Sequence, residues 1–137
     1  MIEVKDILEM AGRLGACSQS GKATDWKSLA WLFFSPQGRE FCRDKNFPSL
    51  ELFRQIKANA EPCGIYVEEH VKLINEDAAI ISGTAELIYH GPTKAYKVII
   101  MHGASVKMKI GSYAVVRVEN MGGSYEVIND GTGKVLV

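Results

Sequence analysis

The chain has 137 residues, 47% apolar and 23% charged, which is enough to build a core and excludes a disordered chain. Sixteen basic residues balance sixteen acidic ones, nine against seven up to residue 60 and seven against nine beyond it. Neither half has the broad basic field that holds nucleic acid, and no run of about 18 apolar residues is available to span a bilayer.

The opening MIEVKDILEM is acidic and amphipathic, unlike the basic start and apolar stretch of a secretory signal. Cys17, Cys42 and Cys63 are odd in number and widely spaced, a poor fit to a disulfide framework or a zinc set. The expected compartment is the reducing cytoplasm, with no metal and no cofactor.

Helical spacing runs from residue 1 to about 59. Val4, Ile7, Leu8, Ala11 and Leu14 line a first helix, with Gly15 at its stop. Ser18 to Lys22 reads as a loop. Thr24 is the expected N-cap of a second helix carrying Trp26, Leu29, Ala30 and Phe33, with Asp25 in its first turn. Trp31, Leu32 and Phe34 widen its apolar surface, so burial on more than one side is expected. Ser35-Pro36 ends that helix and starts a third, holding Phe41 and Cys42 and finishing near Asn46. Phe47-Pro48-Ser49 repeats the device before a fourth helix lined by Leu50, Phe53 and Ile56.

Past Gly64 the apolar period becomes two. It runs through Ile65/Val67, Val71/Leu73, Ala85/Leu87/Tyr89, Tyr96/Val98/Ile100, Ala104 to Ile110, Ala114 to Val118, Tyr125/Val127 and Val135/Val137. The inward positions Val106, Val116, Val127 and Val135 follow one another at unequal steps, and Leu73, Ile80 and Leu87 at shorter, equal ones, so no fixed repeat emerges. Only Asp130-Gly131 resembles a tight hairpin loop, and several turns read as simple corners. The expectation is an α+β fold in which a helical segment (1–61, about four short helices) packs on or caps an all-β part (62–137). That β part is solenoid-like or a wrapped sheet, with a β-sandwich or jelly roll as the alternative, and the two parts form one cooperative domain. The outward residues Ser105, Lys107, Lys109, Arg117, Glu119, Glu126 and Lys134 mix charges, as a solvated sheet face does.

The run WLFFSPQGREFCRDKNFPSLELFRQIK, followed by GIYVE and VIIMHGASVKMKIGSYAVVRVE, resembles a group of uncharacterised small proteins of gut-bacterial genomes, phages and mobile elements. These join a helical front to a short tail of stacked strands. The likeness spans roughly residues 30 to 120. It implies a mobile-element accessory protein, virion-associated if phage-encoded, and transfers no site residue.

His90 and His102 each precede a glycine at the end of a β segment, where in-register stacking could join them as a ligand or metal site near Glu69 and His70. No His-x-His or helical i, i+4 pair anchors such a site. A nucleophilic cysteine needs a base beside it; Cys42 reads as a core thiol and Cys63 as the more exposed one. Glu68 and Glu69, adjacent on a strand, would point to opposite faces. Ser20-Gly21-Lys22 echoes a phosphate loop, but Gly15 is one residue too far and Ala23 follows the lysine. A DNA-recognition helix would have only Gln37 and Arg39 to offer. Seven of twelve aromatic residues fall between residues 26 and 53, as a packing seam or, at Trp31 and Phe34, a surface for a partner. The terminal Val135-Leu136-Val137, gated only by Lys134, is an open β edge and the expected site of homodimerisation. The reading is a non-enzymatic structural or protein-interaction protein that binds itself or another protein. A small-ligand or carbohydrate-binding β module using the two turn histidines is the alternative.

Overall fold

The computed structural model describes residues 3–13 and 25–137. It divides into two compact units, Met1–Cys63 and Gly64–Val137. Leu14, Gly15, Cys17, the Ser20-Gly21-Lys22 segment and Thr24 lie outside the described residues.

In the first unit the described helices are α1 (Val4–Arg13), α2 (Trp26–Phe34), α3 (Pro36–Lys45) and α4 (Leu50–Ala60), with a 3₁₀ turn at Glu61–Cys63. The N-termini of α2, α3 and α4 are set by side chains that accept from orphan backbone amides. Asp25 is the N-cap of α2: its carboxylate accepts from the Ser28 amide while Ser28 Oγ accepts from the Asp25 amide, a reciprocal capping box. This corrects the expectation that Asp25 lies inside the first turn. Ser35 closes α2 and caps α3 through the Gly38 amide, with Pro36 first in the helix, and Ser49 caps α4 through Leu52. Asn46 ends α3 in the left-handed conformation that asparagine tolerates. Phe33 packs edge-on against both Phe34 and Phe53, with ring centroids 5.8 and 6.1 Å apart.

The second unit holds nine short strands: β1 (Ile65–Val67), β2 (His70–Ile74), β3 (Ala78–Ile81), β4 (Thr84–His90), β5 (Ala95–Met101), β6 (Ser105–Gly111), β7 (Val115–Met121), β8 (Ser124–Asn129) and β9 (Lys134–Leu136). Odd strands form one sheet, in the order β1-β3-β5-β7-β9, and even strands a second, β2-β4-β6-β8. Every ladder is parallel. The chain therefore winds as a two-sided solenoid, laying each strand beside the one two before it. A sandwich or jelly roll, built from antiparallel hairpins, is ruled out, and so is the Asp130-Gly131 hairpin: those residues turn the corner from β8 to β9.

Each winding sets a residue beside its counterpart in the next: Ile65 pairs with Ala79, Ala79 with Ile99, and Ala85 with Val106. The interior is filled by columns one residue wide, such as Ala78–Val98–Val118, Leu87–Met108–Val127 and Tyr96–Val116–Val135. Most are fully buried; Tyr125, Val127 and Val135 in the last turn are only partly so. The β9 strand occupies a sheet edge, not a central position.

Where the chain leaves the five-stranded sheet, each corner begins with a left-handed residue: Glu68, Ser82, His102 and Gly122 (φ 53°, 54°, 54° and 104°). The next corner supports it, as when the Ser82 amide donates to the Met101 carbonyl at 3.0 Å. Glu68 and Glu69 are thus corner residues, not neighbours on a strand.

Candidate interaction surface

The outward face of the four-stranded sheet carries three straight rows of side chains, because alternate residues of β2, β4, β6 and β8 point away from the core in strict register. One row is His70, Thr84, Ser105 and Ser124. The middle row is Lys72, Glu86, Lys107 and Glu126, and the third is Ile74, Ile88, Lys109 and Ile128. Parallel register in adjacent strands stacks like positions about 4.8 Å apart, so the middle row alternates in sign from strand to strand.

The face is open to solvent: Ile74 is 55% and Ile128 46% exposed. Within it, Lys109 Nζ lies 3.3 Å from Glu86 Oε1, and His70 Nδ1 lies 2.6 Å from Thr84 Oγ1. The hydrogen bond from Lys109, then the charges of Lys72 and Lys107, hold the Glu86 carboxyl below its ordinary range. The other sheet's outward face lacks this alternation. There Lys97 and Arg117 are in register with like charge, and Arg117 pairs along its own strand with Glu119 at 3.6 Å.

His90 ends β4 and His102 follows β5, so the whole of β5 runs between them. A strand of that length, rising about 3.3 Å per residue, spans about 20 Å, and the two imidazoles stand at opposite corners of the winding. His90 is exposed, its amide donating to Asn75 Oδ1 at 2.9 Å. His102 fills a left-handed corner position, which histidine adopts more readily than most residues. Glu69 and His70 lie on the His102 side, and no three His, Cys, Asp or Glu side chains converge as a metal site among the described residues. The structure does not bring the expected ligand pair together.

Cys42 is buried in α3, and desolvation pushes its thiol up to about 12. Cys63 is partly buried and donates weakly to the Asn59 carbonyl at 3.7 Å. Burial and then the Asp25 carboxylate raise its pKa too, the reverse of what an activated nucleophile needs. Arg39, a candidate for DNA contact, is only 4% exposed and donates from Nη1 to the Phe34 carbonyl at 3.2 Å.

Trp31 is 76% exposed on α2, whereas Phe34 is buried. Phe34 as a surface residue is therefore corrected: an all-apolar helix gives no sequence sign of which side faces water. In the second unit Val135 is half-buried, while Leu136 and Val137 are 37% and 85% exposed.

Lys72, Glu86, Ile74 and Ile88 escaped the reading of the sequence, which followed outward residues only from Ser105 onward. Their alternation in HVKLI and TAELI was visible; their alignment with Lys107 and Lys109 was not, because each partner lies a full winding further along the chain. No described helix is long and apolar enough to cross a membrane. Compared with family models, curated proteins and solved structures, the chain matches none.

Proposed function

We propose that the protein is a non-catalytic structural and interaction protein that assembles with further copies of itself through its stacked-strand unit. The observation that carries this is the outward row Ile74, Ile88, Lys109 and Ile128, three isoleucines interrupted by one lysine, running beside a ladder of alternating charge on the four-stranded sheet. Apolar groups aligned on a regular sheet face favour contact with a second surface over water. The residues that could have made an enzyme suit this reading: His90 and His102 stand at opposite corners, and burial raises the pKa of both described thiols. The exposed Leu136 and Val137 offer a further apolar contact for another chain. The resemblance to phage and mobile-element proteins with stacked-strand tails suits an assembling accessory role, in a virion or in the cytoplasm.

Sedimentation velocity on the wild type and on a variant combining Ile74→Lys and Ile128→Lys tests the reading. The wild type is expected to sediment faster as its concentration rises, and the variant to remain monomeric with an unchanged circular dichroism spectrum. A wild type that stays monomeric into the millimolar range overturns it.

A further inference from the structure

We infer that the partner of the four-stranded face is the same face of a second copy, related by a two-fold axis that runs along the strands and passes between β4 and β6. This rests on the reading just given and specifies its geometry.

The middle row reads Lys72, Glu86, Lys107, Glu126 across the sheet, plus, minus, plus, minus. Read backwards it becomes minus, plus, minus, plus. A copy turned about that axis therefore sets Glu126 against Lys72 and Lys107 against Glu86, and every cation meets an anion. The same operation places Ile74 on Ile128 and Ile88 on the aliphatic stem of Lys109, so the apolar row also covers itself. His70 meets Ser124, and Thr84 meets Ser105.

Register is enforced by repulsion. Sliding one copy by a single strand puts Lys72 on Lys107 and Glu86 on its own counterpart, making each facing pair in that row like-charged. Periodicity selects the partner as well. Charges ruled at about 4.8 Å match another stack of strands; an extended peptide laid across the sheet repeats its side chains at about 6.6 Å and falls out of step. The isologous pairing closes on itself as a dimer.

The face is small, about 14 Å across four strands and about 13 Å along them, which places the dimer among weak, transient contacts. It should weaken with salt, as exposed charge pairs do.

The decisive experiment uses Glu86→Lys and Lys107→Glu as separate full-length proteins, with sedimentation equilibrium as the readout. In either variant alone the two central pairs become repulsive, and dimerisation should weaken by about tenfold or more. In an equimolar mixture every position again faces its opposite, so a heterodimer of wild-type affinity should form. Carbodiimide coupling of the wild type gives a second readout. Lys72 and Glu126 lie three strands apart in one chain, about 14 Å and out of reach of a zero-length link. Recovering a Lys72–Glu126 cross-link, confined to the dimer band, supports the arrangement. If the wild type dimerises but the mixture shows no recovery and that cross-link is absent, this geometry is wrong while the assembling role stands. If the wild type does not dimerise, both fall.

Discussion

The Tyr89 hydroxyl on β4 donates a 2.7 Å hydrogen bond to the carbonyl of Glu76, in the corner that leads into β3. The ring is 1% exposed and stacks beside Tyr96, with centroids 4.9 Å apart, so one side chain ties the core to the corner chain. Tyr89→Phe should keep the packing and lose the bond, lowering stability by about 1 kcal/mol. Tyr89→Ala should cost about 3–5 kcal/mol through the cavity it leaves. Urea unfolding with an unchanged slope would check both values.

Burial, reinforced by Asp77, Glu76 and Tyr96, pushes the Tyr89 phenol far above its ordinary value, and burial pushes the Cys42 thiol from 9.0 to about 12. The unfolded chain therefore releases these protons first as pH rises, and each group favours the fold only while both states remain protonated. Stability should be flat with respect to both groups below about pH 9. It should decline through the range from about 9 to 12 as unfolded cysteine and then tyrosine ionise. Melting temperatures across that range would show the decline, and Cys42→Ala should flatten its first part.

The two described thiols should differ under a thiol reagent in mildly alkaline native buffer. Cys63, partly buried at the end of the 3₁₀ turn, should react first, and Cys42, 5% exposed, only as the protein opens. Peptide mapping after timed quenching separates the two. Labelling of Cys42 as fast as Cys63 would contradict its place in the core.

Two glycines should respond to alanine with opposite signs. A Cβ at Gly83 would run into the backbone of Glu69, because successive corners stack there without room for a side chain. Gly83→Ala should destabilise by about 1–3 kcal/mol. Gly12, in α1, has nothing within 4 Å of where its Cβ would be. Gly12→Ala should stabilise by up to about 1 kcal/mol through helix propensity. Paired thermal melts decide both.

Local chemistry was the most readable part of the chain. Ser35-Pro36 and Ser49 announce helix starts because a hydroxyl acceptor and a fixed φ suit only that place. The α2 cap falls at Asp25 instead of Thr24: both residue types are competent acceptors in the letters, and Asp25 accepts from the Ser28 amide. Alternation announced every strand except β3. There Ala78, Ala79, Ile80 and Ile81 are all fully buried, so no polar residue marks a face.

The steps that looked irregular, from Leu73 to Ile80 or from Val106 to Val116, are half-turns, each crossing from one sheet to the other. The full turn lengthens after the first winding, from the Ile65–Ala79 pairing to that of Ala79 with Ile99, so no fixed repeat appears in the letters. The candidate surface suffers from the same cause. Lys72, Glu86, Lys107 and Glu126 are far apart and unevenly spaced along the chain, and only the fold places them in one line.

Assembly through that line is the central claim, and sedimentation equilibrium of the unmodified protein tests it most directly. Samples from micromolar to millimolar concentration would be run at low ionic strength and again in about 1 M salt, where the Debye length falls to about 3 Å. The account predicts a reversible monomer–dimer equilibrium at low salt whose dissociation constant rises in high salt. A single monomeric species at every concentration, or a dimer indifferent to salt, would contradict it.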